Sequence, residues 1–334
     1  MRLLIFPANP YKQNGYSACV KITLERLKPS KDDIIIWYED TTETFFDNDR
    51  VIKRPSKYAV SRMINVLRNR VNCEMSFHSL EDININEIDE VFCGEVIFYN
   101  ALREIFPNKH LTVQFHNCFS RISDRLNLIG VRTNLKYSIQ LRAFYKLERK
   151  IFNDKNTYKI FVTDEDRNYY TSMFGRYSDS EVWGFIPIVD AKHKRDESKK
   201  KCIVHYGGLQ SHKLDSINWF INDVFNVLHQ EKPQIEFHMW GAGTDVFNNP
   251  SNGIYGHGYY DGEGLPSLSE GFFINPDLTG GGIKMKLLDL FKEGATFIST
   301  PFGYEGYSSD LVDNKYCYVI EPDKWLPFFR EYFK

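Results

Sequence analysis

Residues 271–306 read GFFINPDLTGGGIKMKLLDLFKEGATFISTPFGYEG, and this stretch decides the fold. Phe272, Phe273 and Ile274 form a short apolar run that predicts a buried strand, closed by Asn275-Pro276. Gly280, Gly281 and Gly282 follow. Apolar residues at 283, 287, 288 and 291 then predict a helix over 283–292, and 296–300 predicts another strand. Glycines ahead of a helix let backbone N–H groups approach a ligand, and the helix N-terminus attracts anions. Lys284 and Lys286 add positive charge to the first turn, where the dipole alone disfavours it. An anion seated there, a diphosphate above all, makes sense of that charge. Taken alone, the glycines fit a tight turn beside solvated lysines better than a ligand site.

Outward from this stretch, strand-like and helix-like segments alternate along the chain. In the first half, strands are predicted at 3–6, 34–37, 111–115 and 159–163. Helices are predicted at 16–28, 56–70, 95–106 and 134–152, and another opens with Asp164-Glu165-Asp166. Residues 190–201, DAKHKRDESKKK, are charged and nearly free of apolar side chains, which marks a linker. A fresh strand, 202–206, starts at once. Helix 214–230, strand 236–240 with Gly241-Ala242-Gly243 at its end, a strand near 253–256 and strand 316–320 complete the second half. This βαβ rhythm predicts parallel sheets wrapped by helices, an α/β protein of two doubly wound Rossmann-like domains. Ligands of such sheets bind at the carboxyl ends of the strands, so the active site is expected in a central cleft between the domains. The expected division is a first Rossmann-like domain 1–189, the linker 190–201, a second Rossmann-like domain 202–322, and an apolar helix 323–334 packing at the interdomain seam.

The 334 residues suit two domains, and a hydrophobic content of 42% is that of a globular chain. No apolar run approaches membrane-spanning length. MRLLIFPANP is too short in its apolar part for a signal peptide. Cysteines 19, 73, 93, 118, 202 and 317 are scattered without a CxxC pair, which predicts reduced thiols in a cytoplasm and no zinc site. Net charge is −2, with basic residues concentrated at 50–70 and 121–150. Such clusters are ordinarily solvated faces. Interleaved here with Tyr58, Leu126, Leu128, Ile129, Tyr137 and Phe144, they also suit peripheral contact with an anionic membrane. The positive excess is too small for a nucleic-acid partner.

Pro276, the glycine cluster, Lys286 ten residues beyond that proline, Asp289 thirteen beyond it, Gly294 and STPFGYEG together resemble the donor-site segment of group 1 (GT4-like) glycosyltransferases. The match is to the branch running Pro-x3-Gly-Gly-Gly-x3-Lys-x2-Glu. The resemblance is good over 203–306 and looser over 114–185. It implies the two-domain GT-B arrangement, with 1–189 binding the acceptor and 202–322 the nucleotide sugar, and a donor that is UDP-sugar ahead of GDP-sugar, with no further cofactor. It also implies donor contacts by Gly280, Gly281, Gly282, Ile283 and Lys284. Asp289 stands where the family holds the ribose with a glutamate. The partner acid of the family's glutamate pair, expected near Gly280 or Gly281, is absent, as it is in the glycine-rich branch.

HYGGLQSHKLDSINWF, 205–220, resembles the first element of the family's second domain, with Gly208 at the turn and Lys213 on the loop as a counter-charge for the diphosphate. Trp240-Gly241-Ala242-Gly243 and His257-Gly258-Tyr259 resemble the strand ends beside the base. Gln114-Phe115-His116-Asn117 resembles the His-Asn element that meets donor sugar or acceptor. Tyr145, Glu148 and Arg149 resemble the Glu-containing helix, and Thr163-Asp164-Glu165-Asp166-Arg167 the Ser-Glu-x-Asp-Arg segment. Gly15 stands in the first βα loop, where backbone would approach the transferred sugar. His116, Lys213 and Lys286 are the candidate catalytic groups, with no metal, since no DxD closes a strand.

The expected activity is transfer of a hexosyl unit to a saccharide or lipid-linked saccharide, in surface polysaccharide synthesis at the cytoplasmic membrane face. Retention of configuration is what the resemblance implies. A nucleotide-sugar epimerase and a non-catalytic GT-B subunit are the alternatives.

Overall fold

The computed structural model describes residues 1–8, 15–38, 49–52, 83–128, 135–175, 179–184, 200, 202–209, 213–259, 271–279 and 283–334. The helix expected at 56–70, nearly all of the 190–201 linker and the Gly280–Gly282 turn lie outside these residues. The chain divides into two units, Met1–Phe185 and Ile186–Lys334.

The first unit is built on β1 (Arg2–Phe6), β2 (Ile34–Tyr38), β3 (Asp49–Ile52), β4 (Glu90–Cys93), β5 (Leu111–Phe115), β6 (Thr157–Phe161) and β7 (Ser180–Val182). They form one sheet in the order β3-β2-β1-β4-β5-β6-β7, and every pairing is parallel. A parallel sheet covered on both faces needs apolar side chains on both, so its strands read as runs and not as alternations. β1 shows this: Leu3 and Ile5 enter one core with Val91, Val113, Phe115 and Phe161, while Leu4 and Phe6 enter the other with Val20, Leu24, Phe92 and Ile160. The second core is covered by the helix Gly15–Leu27, the first by the helices Tyr99–Ile105 and Leu135–Asn153.

The second unit repeats the plan with β8 (Cys202–Tyr206), β9 (Glu236–Trp240), β10 (Ile254–Gly256), β11 (Gly271–Asn275), β12 (Phe297–Ser299) and β13 (Cys317–Val319). The order is β10-β9-β8-β11-β12-β13, again all parallel. In both sheets the chain winds one way from a central strand and then returns to wind the other way. The order reverses between β1 and β4 and between β8 and β11, and that reversal opens a crevice at the strands' carboxyl ends.

Three local features add detail to the expected elements. The helix over 214–231 contains a π-helical stretch, Phe220–Phe225, which turns Phe220, Ile221, Val224 and Phe225 all inward. The helical segment after Glu95 opens as a 3-10 turn, Val96–Phe98, before Tyr99–Ile105. The closing helix, Trp325–Tyr332, buries Trp325 and Phe329 against Phe220, Phe237 and Phe272 of its own unit, and Trp325 Nε1 donates to the Ile320 carbonyl at 2.9 Å. Leu326, Phe328 and Tyr332, partly buried, pack against the same core.

Candidate functional site

At the β8/β11 crevice the chain gathers a buried charge cluster. β11 ends in Asn275, whose Nδ2 donates to Ser299 Oγ (3.0 Å) and the Gly303 carbonyl (2.9 Å). Thr300 Oγ1 donates to the Asp277 carbonyl, and the Leu278 N–H donates to Ser216 Oγ at 2.9 Å. The segment after β11 is thereby tied to the 299–303 turn on one side and to the helix starting at Leu214 on the other. Asp277, 1% exposed, is held between them.

Facing Asp277 is Lys286, in the first turn of the helix Met285–Lys292, with its Nζ 3.4 Å from Asp277 Oδ1. Burial alone would push the Asp277 carboxyl up, but Lys286, Lys213 and Lys284 together hold it well below the usual carboxylate range. Burial draws Lys286 down to about 8, against Asp277, which supports its charge, and with Lys213 and Lys284, which oppose it. His205, buried at the end of β8, donates from Nε2 to the Gly207 carbonyl at 3.2 Å. Burial, reinforced by the Lys286 charge, keeps its ring neutral. Among the described residues, Asp277 Oδ2, Asn275 Oδ1 and His205 Nδ1 are buried without a hydrogen-bond partner. Such groups are costly to leave unpaired, and these three lie at or just beyond the carboxyl ends of β8 and β11.

The expected donor residues divide by what they do in this geometry. Lys213 occupies the N-cap position of the helix beginning at Leu214 without a capping side-chain bond, and Lys284 stands at the N-cap of Met285–Lys292, its Nζ 4.7 Å over the Phe302 ring. With Lys286 they make three cations around one carboxylate. Ile283 immediately precedes them, half-buried. Asp289 lies one turn further along the helix on its exposed side, and the charges acting on it include those of Lys292 and Glu293.

Gly241, at φ +139°, is a close-packing position: a Cβ there would meet the Gly207 backbone. Gly208 has only ordinary contacts with Ala242, and Gly243 follows in the same turn. The loops at the ends of β8, β9 and β10 are tied by Gly207 N–H to Trp240 O, Leu209 N–H to Ala242 O, and Gly241 N–H to Gly258 O. His257 stacks on Trp240 with ring centroids 4.0 Å apart and shares a 3.1 Å hydrogen bond with His238.

In the first unit, Gly15 is the first residue of the helix after β1. His116 immediately follows β5 and is buried, which draws it down to about 4, so the ring is neutral near pH 7. Glu148 acts structurally, accepting from the Phe119 and Ser120 N–H groups, both at 2.9 Å, and capping the helix Phe119–Leu128. Thr163 caps Asp164–Phe174 by accepting from the Asp166 N–H at 3.1 Å. Glu148 and Thr163 therefore each serve a helix terminus, Tyr145 packs edge-on against Phe174, and the Asp166 carboxylate is paired to Arg121 at 2.8 Å.

Three groups escape the sequence reading. Asp277 and His205 both lie inside the quoted stretches, but an Asp after Pro and a His in a strand carry no signal until the fold sets them beside lysines. Glu95, at the end of β4, is buried, and its Oε1 accepts from the Val96 N–H at 2.9 Å.

Several solved structures share this architecture. The structure of TarM aligns with a TM-score of 0.63 over 99% of this chain and 90% of its own, at 10% identity. Sucrose-phosphate synthase from Thermosynechococcus elongatus aligns at 0.64 over 96% and 86%, at 12% identity. The fold is GT-B. A trehalose-6-phosphate protein from E. coli bound with UDP-2-fluoro glucose shares this GT-B fold at a TM-score of 0.54, over 97% of this chain and 89% of its own, with 10% identity. In sequence the chain is similar to an uncharacterized 44.6 kDa protein in the cps region of Klebsiella pneumoniae, 24% identical over 89% of this chain and 82% of that protein. No protein-family model matches the chain.

Proposed function

We propose that the chain is a glycosyltransferase that moves a hexosyl unit from a nucleotide sugar, UDP-sugar ahead of GDP-sugar, to a saccharide acceptor, with retention and without a metal. The observation that carries this reading is the convergence of Lys213, Lys284 and Lys286 at the β8/β11 switch point. In the transfer the sugar C1–O bond to the diphosphate breaks and a C1–O bond to the acceptor hydroxyl forms. The hydroxyl proton passes to an oxygen of the departing nucleoside diphosphate. Negative charge grows on that leaving group, and fixed cations in a water-poor crevice stabilise it by several kcal/mol, on the order of what an oxyanion donor supplies elsewhere. Neutral His116 suits a hydrogen bond to a sugar hydroxyl. Support for the donor class comes from the GT-B neighbour bound with UDP-2-fluoro glucose. Support for polysaccharide synthesis comes from the relative in a cps region.

Isothermal titration with UDP, GDP, ADP and CMP, repeated on Lys286→Ala, tests the donor site. The expected result is micromolar binding of UDP, lost in the variant. Binding of none of the four would return the lysines to a structural role and favour the non-catalytic subunit.

The acceptor is proposed to be lipid-linked and met at a membrane. Leu128 and Leu135, 84% and 77% exposed, flank residues 129–134 at the facing ends of two helices in the basic 121–150 region. Among the described residues no helix is long and apolar enough to cross a membrane. Cosedimentation with anionic vesicles, but not neutral ones, is expected, and Leu128→Ser/Leu135→Ser should reduce it. Equal or absent binding to both kinds of vesicle would count against membrane contact.

A further inference from the structure

The donor-site reading uses the three lysines and leaves the buried carboxylate among them without a part. Its position is not that of a surface counter-ion. Asp277 is fixed through its own backbone by Thr300 on one side and, at the next residue, by Ser216 on the other. Its Oδ1 lies 3.4 Å from Lys286 Nζ, longer than a tight ion pair, and its Oδ2 is buried without a partner among the described residues. The carboxylate is therefore close enough to hold the ammonium by charge, yet it leaves donor hydrogens on Nζ for another acceptor.

Resting on the proposed donor site, we infer that Asp277 is a positioning residue that keeps the Lys286 ammonium charged and aimed at the diphosphate. The groups that face Lys286 are His205 from β8, Lys213 from the loop after β8, Asp277 from the segment after β11, and Lys284 from the start of its own helix. His205 is neutral, so two cations repel the Lys286 proton and one anion retains it. The balance leaves Lys286 near the edge of the neutral range, at about 8. Removing the Asp277 charge leaves only burial and like-charge repulsion, both of which expel the proton. The same removal deletes a negative charge beside an anionic ligand. The two effects have opposite signs and separate with pH. At low pH, where Lys286 is charged with or without Asp277, the variant should bind the diphosphate as well as or better than the parent. At higher pH it should lose binding first.

The test uses Asp277→Asn, Lys286→Arg and the double variant, with UDP as probe between pH 6.5 and 9. In the parent protein, affinity should begin to fall near the pH at which ligand-free Lys286 loses its proton. In Asp277→Asn that onset should move down by about one pH unit or more, while affinity at pH 6.5 is retained or raised. Lys286→Arg stays charged throughout, so it should show no alkaline fall with either Asp or Asn at 277. Recovery of alkaline binding in the double variant would also show that Asn at 277 has not unfolded the site. In parallel, the pH profile of Lys286 acetylation by acetic anhydride, read by mass spectrometry on ligand-free protein, should show the same downward shift in Asp277→Asn.

Equal acetylation midpoints in the parent and Asp277→Asn would overturn the inference, even with UDP binding intact. A uniform loss of affinity at every pH would do the same, since it would make Asp277 a packing group. Failure of the parent to bind UDP at any pH is a distinct outcome: it removes the donor site itself, and this role for Asp277 goes with it.

Discussion

Gly241 and Gly207 approach so closely that no side chain fits between them: a Cβ on Gly241 would lie 2.3 Å from the Gly207 carbonyl carbon and oxygen. Gly241 also holds φ +139°, which other residues rarely adopt. Gly241→Ala should therefore cost about 2–3 kcal/mol through strain and displaced backbone. Gly208→Ala, whose nearest neighbours would be 3.6 Å away or more, should stay within about 0.5 kcal/mol. Urea unfolding of both variants checks the contrast. Equal costs would mean that the strand-end loops yield more readily than their geometry implies.

Arg121 belongs to a basic stretch that reads as a solvated face, yet it pairs at 2.8 Å with Asp166, which is fully buried. Arg121→Ala strands that carboxylate and should destabilise by about 3–5 kcal/mol. The double change Arg121→Met/Asp166→Leu should recover most of the loss. A fall in Tm below about 2 °C for Arg121→Ala would show that water reaches Asp166 once the arginine is gone.

Two buried carboxyls should make the first unit weaken as pH rises. Burial pushes Glu95 up to about 8, partly offset by the Val96 N–H and aided by the Glu148 charge. Burial likewise pushes Glu148 up to about 7, against the hydrogen bonds it accepts. A group whose folded pKa lies above its unfolded value contributes most below the unfolded value, about 4.3 for Glu, and that contribution is lost as pH climbs through the folded one. The slope can reach about 1.4 kcal/mol per pH unit for each group. Thermal melts should fall between pH 5 and 8, and Glu95→Gln should flatten the curve up to pH 8. A parent Tm that is level across this range would contradict the burial of both carboxyls.

Trp325 anchors the closing helix among Phe220, Phe329 and the π-helical stretch. Trp325→Ala should cost about 3–5 kcal/mol, as large-to-small changes in a packed core do. Differential hydrogen exchange should place the loss in 214–231 and 322–334. A loss spread over 1–185 instead would contradict this packing.

Element types and their succession are legible in one dimension. β5, β8 and β9 fall on the predicted residues, and β1 and β11 lie within one residue of theirs, because strands buried on both faces, as residues 3–6 and 272–274 are, write apolar runs. The long helix, Leu135–Asn153, is equally legible from its period. β3, β4 and β7, three or four residues each, were not legible: too short to carry a period, they are strands because neighbours offer them ladder partners.

The site divides along the same line. Lys213, Lys284 and Lys286 announce themselves by sitting at loop ends and helix starts, which the chain order alone specifies. Asp277 and His205 do not, since a carboxylate and an imidazole acquire their meaning from burial and from charges on other elements of the unit. Glu148 shows the converse. Its helix resembles a ligand-binding one in sequence, yet only tertiary packing brings the Phe119 and Ser120 N–H groups to its carboxylate and makes it a cap. Periodicity is a local property and survives in one dimension. Charge state and hydrogen-bond partnership depend on distance in space, and the fold alone sets that.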